Sequence, residues 1–219
     1  MFSLDDFYKK YQTNTKNITI GDRRFSILVP KNIEPFVDSE DLLHEFPLWA
    51  KIWEASVVLA EHLVGIQADA EFNTLEIGCG LGFVGIVASA FGHNMTITEY
   101  GNHALNFARA NAQLNRQPGD AELEIKRLDW NKPGIKETFN RIVGSEVIYK
   151  KEDYEPILKL FQRYLNEGGE IFLAEGLRET SYEFFRQMSD IFEIEARRKV
   201  IRTPEKEIRV ILAKMIFKS

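Results

Sequence analysis

The spacing of apolar residues along the chain changes several times, and each change marks a change of element. Between residues 17 and 30, Ile18 and Ile20, then Phe25, Ile27 and Val29, alternate with polar residues about Gly21-Asp22, which predicts a small β-hairpin. Residues 31–45 are polar, acidic and rich in turn formers, and read as a lid-like loop. Pro47 occupies a favourable first helical position. Behind it, Leu48, Ile52, Ala55, Leu59 and His62 share one stripe, and Trp49, Trp53, Val57, Ala60 and Val64 the next. That spacing predicts one helix with a wide apolar face. From Asn73 strands and helices alternate, with strands at 74–77, 95–99, 123–129, 141–145 and 170–174 and helices at 83–91, 103–114 and 182–191. Tyr154, Ile157, Leu158, Phe161 and Leu165 mark a further amphipathic helix, ended by Gly168-Gly169. Two long strand-like runs, 192–202 and 208–217, close the pattern, with only Thr203-Pro204-Glu205-Lys206-Glu207 between them. A link that short makes no parallel crossover, so these strands are expected to be antiparallel neighbours. The whole reads as an α/β fold: a parallel sheet closed by an antiparallel C-terminal hairpin, preceded by a small N-terminal β-hairpin and helix.

Composition narrows the setting. Of 219 residues, 44% are apolar and 28% charged, which is the balance of a folded globular chain. Apolar runs are short, as at 211–213, so no membrane span is expected. The start, Met1-Phe2-Ser3-Leu4-Asp5-Asp6, has neither the basic lead nor the apolar core of a secretory signal. The single cysteine, Cys79, makes no internal disulfide, and His44, His62, His93 and His103 lack ligand spacing, so no metal is expected. The expected location is the cytoplasm and the expected state a monomer. With 28 basic against 33 acidic residues the net charge is −5, which opposes a polyanionic ligand. The one basic cluster, Arg197-Arg198-Lys199 with Arg202, Lys206 and Arg209, reads as a solvated strand face, so a nucleic-acid partner is not expected.

The sharpest chemical signal is Leu75-Glu76-Ile77-Gly78-Cys79-Gly80-Leu81-Gly82-Phe83-Val84-Gly85 at a strand-to-helix junction. Glycines there permit a tight turn and let the backbone approach a nucleoside. Gly80, Gly82 and Gly85 also fit the dinucleotide fingerprint, and Glu99 ends the next strand, where a carboxylate accepts both ribose hydroxyls. A dinucleotide and S-adenosylmethionine therefore compete. Glu76, inside the strand, would repel a pyrophosphate but hold the ammonium of a sulfonium-bearing amino acid. The short chain leaves little for a separate substrate domain, and the C-terminal hairpin is foreign to an NAD domain. These features favour the methyl donor.

Four blocks carry a resemblance: Leu48-Trp49-Ala50-Lys51-Ile52-Trp53-Glu54-Ala55 with Leu59; the glycine block; Thr96-Ile97-Thr98-Glu99; and Leu128-Asp129-Trp130 followed by Gly144-Ser145-Glu146-Val147-Ile148-Tyr149. Together they resemble the class I, seven-stranded, Rossmann-like methyltransferases that use S-adenosylmethionine. Within them they are similar to methyltransferase family 16, the protein-lysine enzymes with a D-x-x-Y motif. The resemblance implies a methyltransferase domain at 47–219 with an N-terminal extension, 1–46, packed on it. It implies that Trp53 packs on the cofactor, that Gly78 and Gly80 line its methionine and ribose, and that Glu99 takes the ribose hydroxyls. Asp129 and Trp130 would flank the adenine, and Ser145 would close the pocket. Glu146 and Tyr149 would be catalytic, facing the acceptor. Two positions depart from the family pattern: Glu146 and Glu99 each stand where Asp is commoner.

Methyl transfer is an in-line displacement in which the enzyme supplies position and charge complementarity. A lysine acceptor must first lose its proton, which costs roughly 4.6 kcal/mol at pH 7 for a pKa near 10.4. A carboxylate alone stabilises the ammonium, so Glu146 is expected to orient the amine rather than act as a strong base. The expected activity is transfer to a protein lysine. A small-molecule or nucleic-acid methyltransferase on the same fold, and a non-catalytic donor-binding module, are the alternatives.

Overall fold

The computed structural model describes residues 2–37, 47–202 and 207–218. Most of the expected lid, including His44, and residues 203–206 between the last two strands lie outside the described residues. Nine strands and six α-helices are described, in the order α1 (Leu4–Lys10), β1 (Thr13–Ile20), β2 (Arg23–Pro30), α2 (Glu54–Val64), β3 (Asn73–Ile77), α3 (Phe83–Ala90), β4 (Asn94–Glu99) and α4 (Asn102–Asn115). Then come β5 (Leu123–Arg127), β6 (Phe139–Ser145), α5 (Tyr154–Tyr164), β7 (Leu165–Gly176), α6 (Glu179–Met188), β8 (Phe192–Arg202) and β9 (Glu207–Phe217).

Seven strands form one sheet in the order β5-β4-β3-β6-β7-β9-β8. The five strands β3 to β7 run parallel, and β9 lies antiparallel between β7 and β8. This is the expected α/β sheet with its antiparallel C-terminal hairpin, and β8–β9 pair from Phe192↔Phe217 to Arg202↔Glu207. The strand order reverses between β3 and β6, so the C-terminal ends of these strands and of β4 open onto a crevice.

Side-chain alternation divides the core. Leu75, Ile77, Ile142, Ile171 and Leu173 pack on one sheet face with the buried stripe of α5, Tyr154, Ile157, Leu160, Phe161 and Tyr164. The other face packs against α2 and α3, and here the N-terminal segment joins the same core through Phe7, Tyr11, Phe25 and Ile27. Asn111 on α4 acts as a missing strand partner for β2. Its Oδ1 accepts the Leu28 N–H at 2.7 Å, and its Nδ2 donates to the Leu28 carbonyl and to the Leu81 carbonyl in the glycine loop. Asn115 repeats the pairing with Ser26.

Two expected elements are corrected. The apolar run from Pro47 is not one helix: Leu48–Ala50 is a short 3-10 turn, and Lys51 and Trp53 are extended before α2 begins at Glu54. Helical continuity gives way because the Trp53 ring N–H donates to the Leu48 carbonyl at 2.7 Å and the Ser56 hydroxyl to the Trp53 carbonyl. The two stripes of the sequence pattern are therefore two differently shaped segments. At the other correction, α5 ends at Tyr164 and Leu165 turns directly into β7, so Gly168-Gly169 lie within the strand, where its register with β6 shifts.

Candidate active site

The glycine loop runs from the end of β3 to the start of α3. Gly78 has a left-handed backbone (φ +64°), and a Cβ there would meet Val147 at 3.0 Å and the Trp130 ring at 3.4 Å. Only glycine both takes that conformation at no cost and leaves the space open. At Gly85 the need is close approach, since a Cβ would come within 2.1 Å of Ile97 on β4.

Above this loop lies a cavity of about 260 Å³. Trp53, Gly78, Gly80, Glu99, Trp130, Ser145, Glu146 and Tyr149 all line it, joined by Trp49, Lys51 and Ile52 from the broken segment before α2. A second cavity of about 400 Å³ shares Gly78, Glu99 and Trp130 and adds Asp129, Tyr100 and Asn131. Of the ten residues singled out in the sequence, the structure brings nine to these two adjoining spaces. The β4 carboxylate divides them. Glu99 Oε2 accepts the Gly80 N–H at 3.1 Å, and Oε1 accepts the N–H groups of Tyr100 (2.7 Å) and Gly101 (3.2 Å).

Glu76 is the exception and a correction. Its side chain does not line either cavity but lies fully buried beneath the loop, where Oε2 accepts the Gly85 N–H at 2.9 Å. Gly85 is in the first turn of α3, and Gly82 at its N-cap has no side chain to offer, so Glu76 caps the helix from the strand below. Burial, then the Glu99 charge, raise its pKa to about 8. Tucked under the start of α3 with Oε2 on the Gly85 N–H, this carboxyl faces the helix rather than the cavity.

Trp49 and Trp53 have separate duties. Trp49 packs edge-on against Phe36 at 5.2 Å and on Phe107 at 5.3 Å, tying the cavity wall to the N-terminal segment and α4. Trp53 carries the Lys51 ammonium 3.7 Å from its ring centroid.

The acceptor side is built where β6 and β7 end. Glu146 is buried and has φ +52°, the sole positive-φ non-glycine among the described residues. That conformation is held from three sides. The Glu146 N–H donates to the Ala174 carbonyl at 2.9 Å, its Oε1 accepts the Gly176 N–H at 2.9 Å, and its Oε2 pairs with Arg178. Such strain is typical of sites where surrounding structure fixes a functional side chain. Tyr149 shares the cavity. Burial, then the Glu146 and Glu175 charges, push its hydroxyl above its ordinary range, so it stays protonated as a hydrogen-bonding group.

Glu175 and Arg178 escaped the sequence reading, which ended the β7 strand at Ala174. Glu175 is fully buried, accepts the Val147 N–H at 2.8 Å and lies 3.2 Å from Arg178 Nη2. The available signal was an acid and a base three apart, immediately after an apolar strand whose C-terminal end faces the crevice.

The glycine cradle, the indole walls and a carboxylate shared by two cavities fit a nucleoside joined to an amino acid. Comparison with known proteins agrees. A family model described as lysine methyltransferase matches residues 44–191. The mouse protein N-lysine methyltransferase METTL21A is 30% identical over 173 residues, 75% of this chain and 76% of that one. The mouse EEF1A lysine methyltransferase 3 is 26% identical over 147 residues, 64% and 61% of the two chains. Among solved structures, the N-methyltransferase NodS from Bradyrhizobium japonicum, in complex with S-adenosyl-L-homocysteine, superposes with a TM-score of 0.61 at 15% identity, over 85% of this chain and 97% of that one. Because the match runs from before the tryptophan segment, through the turn carrying Glu146 and Tyr149, and on past α6, this chain belongs to the lysine methyltransferase family, and its cofactor is S-adenosylmethionine.

Proposed function

We propose that the chain transfers the methyl group to a protein lysine, with Glu146 and Tyr149 taking the acceptor amine and the glycine loop, Glu99, Asp129, Trp130, Trp53 and Ser145 holding the donor. The observation that supports it is shared space: Glu146 and Tyr149 line the cavity that also contains Gly78, Gly80 and Glu99. When bound, S-adenosylmethionine supplies an electrophilic methyl on a sulfonium.

The chain's own residues would do the following. Gly78 and Gly80 let backbone approach the donor, and Glu99 offers its remaining acceptor capacity to ribose hydroxyls between the cavities. Trp130 and Asp129 bound the second cavity and flank the adenine, and Trp53 walls the first. Glu146 orients the acceptor nitrogen through its carboxylate, and the Tyr149 hydroxyl adds a second, neutral hydrogen-bonding contact. The shared cavity brings donor and amine into one space. Residues 1–46 serve as an extension of the domain formed by 47–219, and the enzyme works as a monomer in the cytoplasm. No helix among the described residues is long and apolar enough to cross a membrane.

Incubating a lysate with the protein and methyl-labelled S-adenosylmethionine tests the acceptor class. Label is expected in a discrete protein band, with mass spectrometry placing it on a lysine. Label confined to small molecules or nucleic acid would overturn the acceptor.

A further inference from the structure

A carboxylate beside the acceptor amine poses a chemical problem. An anion favours the ammonium form, which has no lone pair and cannot attack the methyl group. The residues behind Glu146 answer it.

Arg178 stands at the N-cap of α6, and its Nη2 donates both to Glu146 Oε2 and, at 3.2 Å, to Glu175 Oε2. Its guanidinium carbon lies 5.0 Å from the Tyr149 ring centroid. An arginine serving only as a structural tie is best placed with its fork on one carboxylate. Here one nitrogen reaches both acids while Nε is buried without a partner. Glu175 fixes this arrangement from below, since its other oxygen holds the Val147 N–H in the turn after β6. Arg178 does not line the donor cavity.

We propose that Arg178, seated on Glu175, is a positioning residue that neutralises Glu146, so that the acceptor amine meets a hydrogen-bond acceptor without an uncompensated anion. The proposal rests on the reading of Glu146 as acceptor-facing. Lys51 lines the same cavity with its ammonium over the Trp53 ring, and four further charged or titratable groups act around Glu146. Burial and then the Glu146 charge push Glu175 on β7 up to about 8, which weakens its hold on the Arg178 charge relative to Glu146. Arg178 itself approaches from the start of α6. Tyr149 stays protonated, and Glu99 on β4 acts on it from across the cavity.

The test is single-turnover transfer to the lysate protein fraction from labelled S-adenosylmethionine, between pH 6 and 10, with unaltered protein, Arg178→Gln and Arg178→Lys. Calorimetry of donor binding verifies that each variant is folded. With the cation removed, the ammonium form of the acceptor is stabilised, so the rate should rise with pH about one unit later or more. Arg178→Gln should therefore be about tenfold slower at pH 7 and approach the unaltered rate at high pH. Arg178→Lys keeps the charge but not the reach of the guanidinium, so it should move the profile part of the way back toward the original, and donor affinity should hold within about twofold in both. A rate reduced equally at every pH, with Glu146→Gln defective, makes Arg178 a structural support and overturns the proposal. Normal transfer by Glu146→Gln, or no transfer by the unaltered protein, overturns it differently, by removing the acceptor reading itself.

Discussion

Glu146 shows why the acid at this position matters in its backbone as well as its charge. Aspartate enters the left-handed region more readily than glutamate, so Glu146→Asp relieves part of the strain at φ +52° while drawing the carboxylate back by one methylene. We expect Glu146→Asp to lower the thermal midpoint, because the lost Gly176 and Arg178 contacts outweigh the relieved backbone strain, and to slow single-turnover methylation several-fold. A faster enzyme would show that the pocket is not fitted to the longer side chain. Glu99 carries a similar double load. Removing it in Glu99→Ala should cost about 1.5–3 kcal/mol of donor affinity by calorimetry. Some stability of the free protein should go too, because the Gly80, Tyr100 and Gly101 N–H groups lose their acceptor. Unchanged donor affinity would make Glu99 purely a loop anchor. Gly78, Gly80 and Glu99 were legible in the residues themselves because a glycine turn and a strand end constrain residue type, whereas Trp53, Asp129, Trp130, Ser145, Glu146 and Tyr149 were reached through the family resemblance. Glu76 misled because a carboxylate two residues before Gly78 shows which charge a ligand there would meet, not which element the side chain faces.

At the scale of elements, α3 depends on one missing atom. Gly85→Ala would drive a methyl into Ile97 and crowd the Glu76 carboxyl at 2.8 Å, forcing α3 away from β4. Overpacking of this kind costs about 1–3 kcal/mol and here should stand at or above the upper end, because Ile97 and Glu76 are both fully enclosed. Chemical denaturation measures it, and a neutral Gly85→Ala would show that α3 is free to shift. The strands, the central helices and the antiparallel end were readable because their periods are uniform. The tryptophan segment was not. A helical stripe and a turn followed by extended residues place the same apolar side chains inward, and what separates them is Trp53 bonding to Leu48, a contact without a sequence signature. The strand that contains Gly168-Gly169 failed for a related reason, since glycines end helices and interrupt ladders alike.

Across the whole molecule, buried acids set how stability varies with pH. Glu76 and Glu175 titrate at about 8 when folded, against an ordinary value of 4.5, both chiefly through burial. Between those values the folded chain binds more protons than the unfolded one. Their contribution is therefore greatest in acid and is lost as pH rises through 8. His62, His93 and His103 have the opposite sign: burial lowers each below 6.5, so they add stability as pH climbs through that value. The interval from about 6.5 to 8 thus isolates the two acids. The thermal midpoint should fall across it, and Glu175→Gln should flatten the fall. A midpoint that rises throughout would show that both acids ionise in the folded chain. The Asn111 amide adds a consequence of another kind. One side chain, with no exposed surface, grips the hairpin at Leu28 and the glycine loop at Leu81. Neither the hairpin strands nor Asn111 lines the cavity that reaches Glu99. Opening of the hairpin strips Asn111 of both its Leu28 bonds and so loosens the amide that also holds the Leu81 carbonyl, which links the two regions energetically through one side chain. Donor binding should then slow hydrogen exchange at Leu28 and its neighbours in β2, which do not themselves line the cavity.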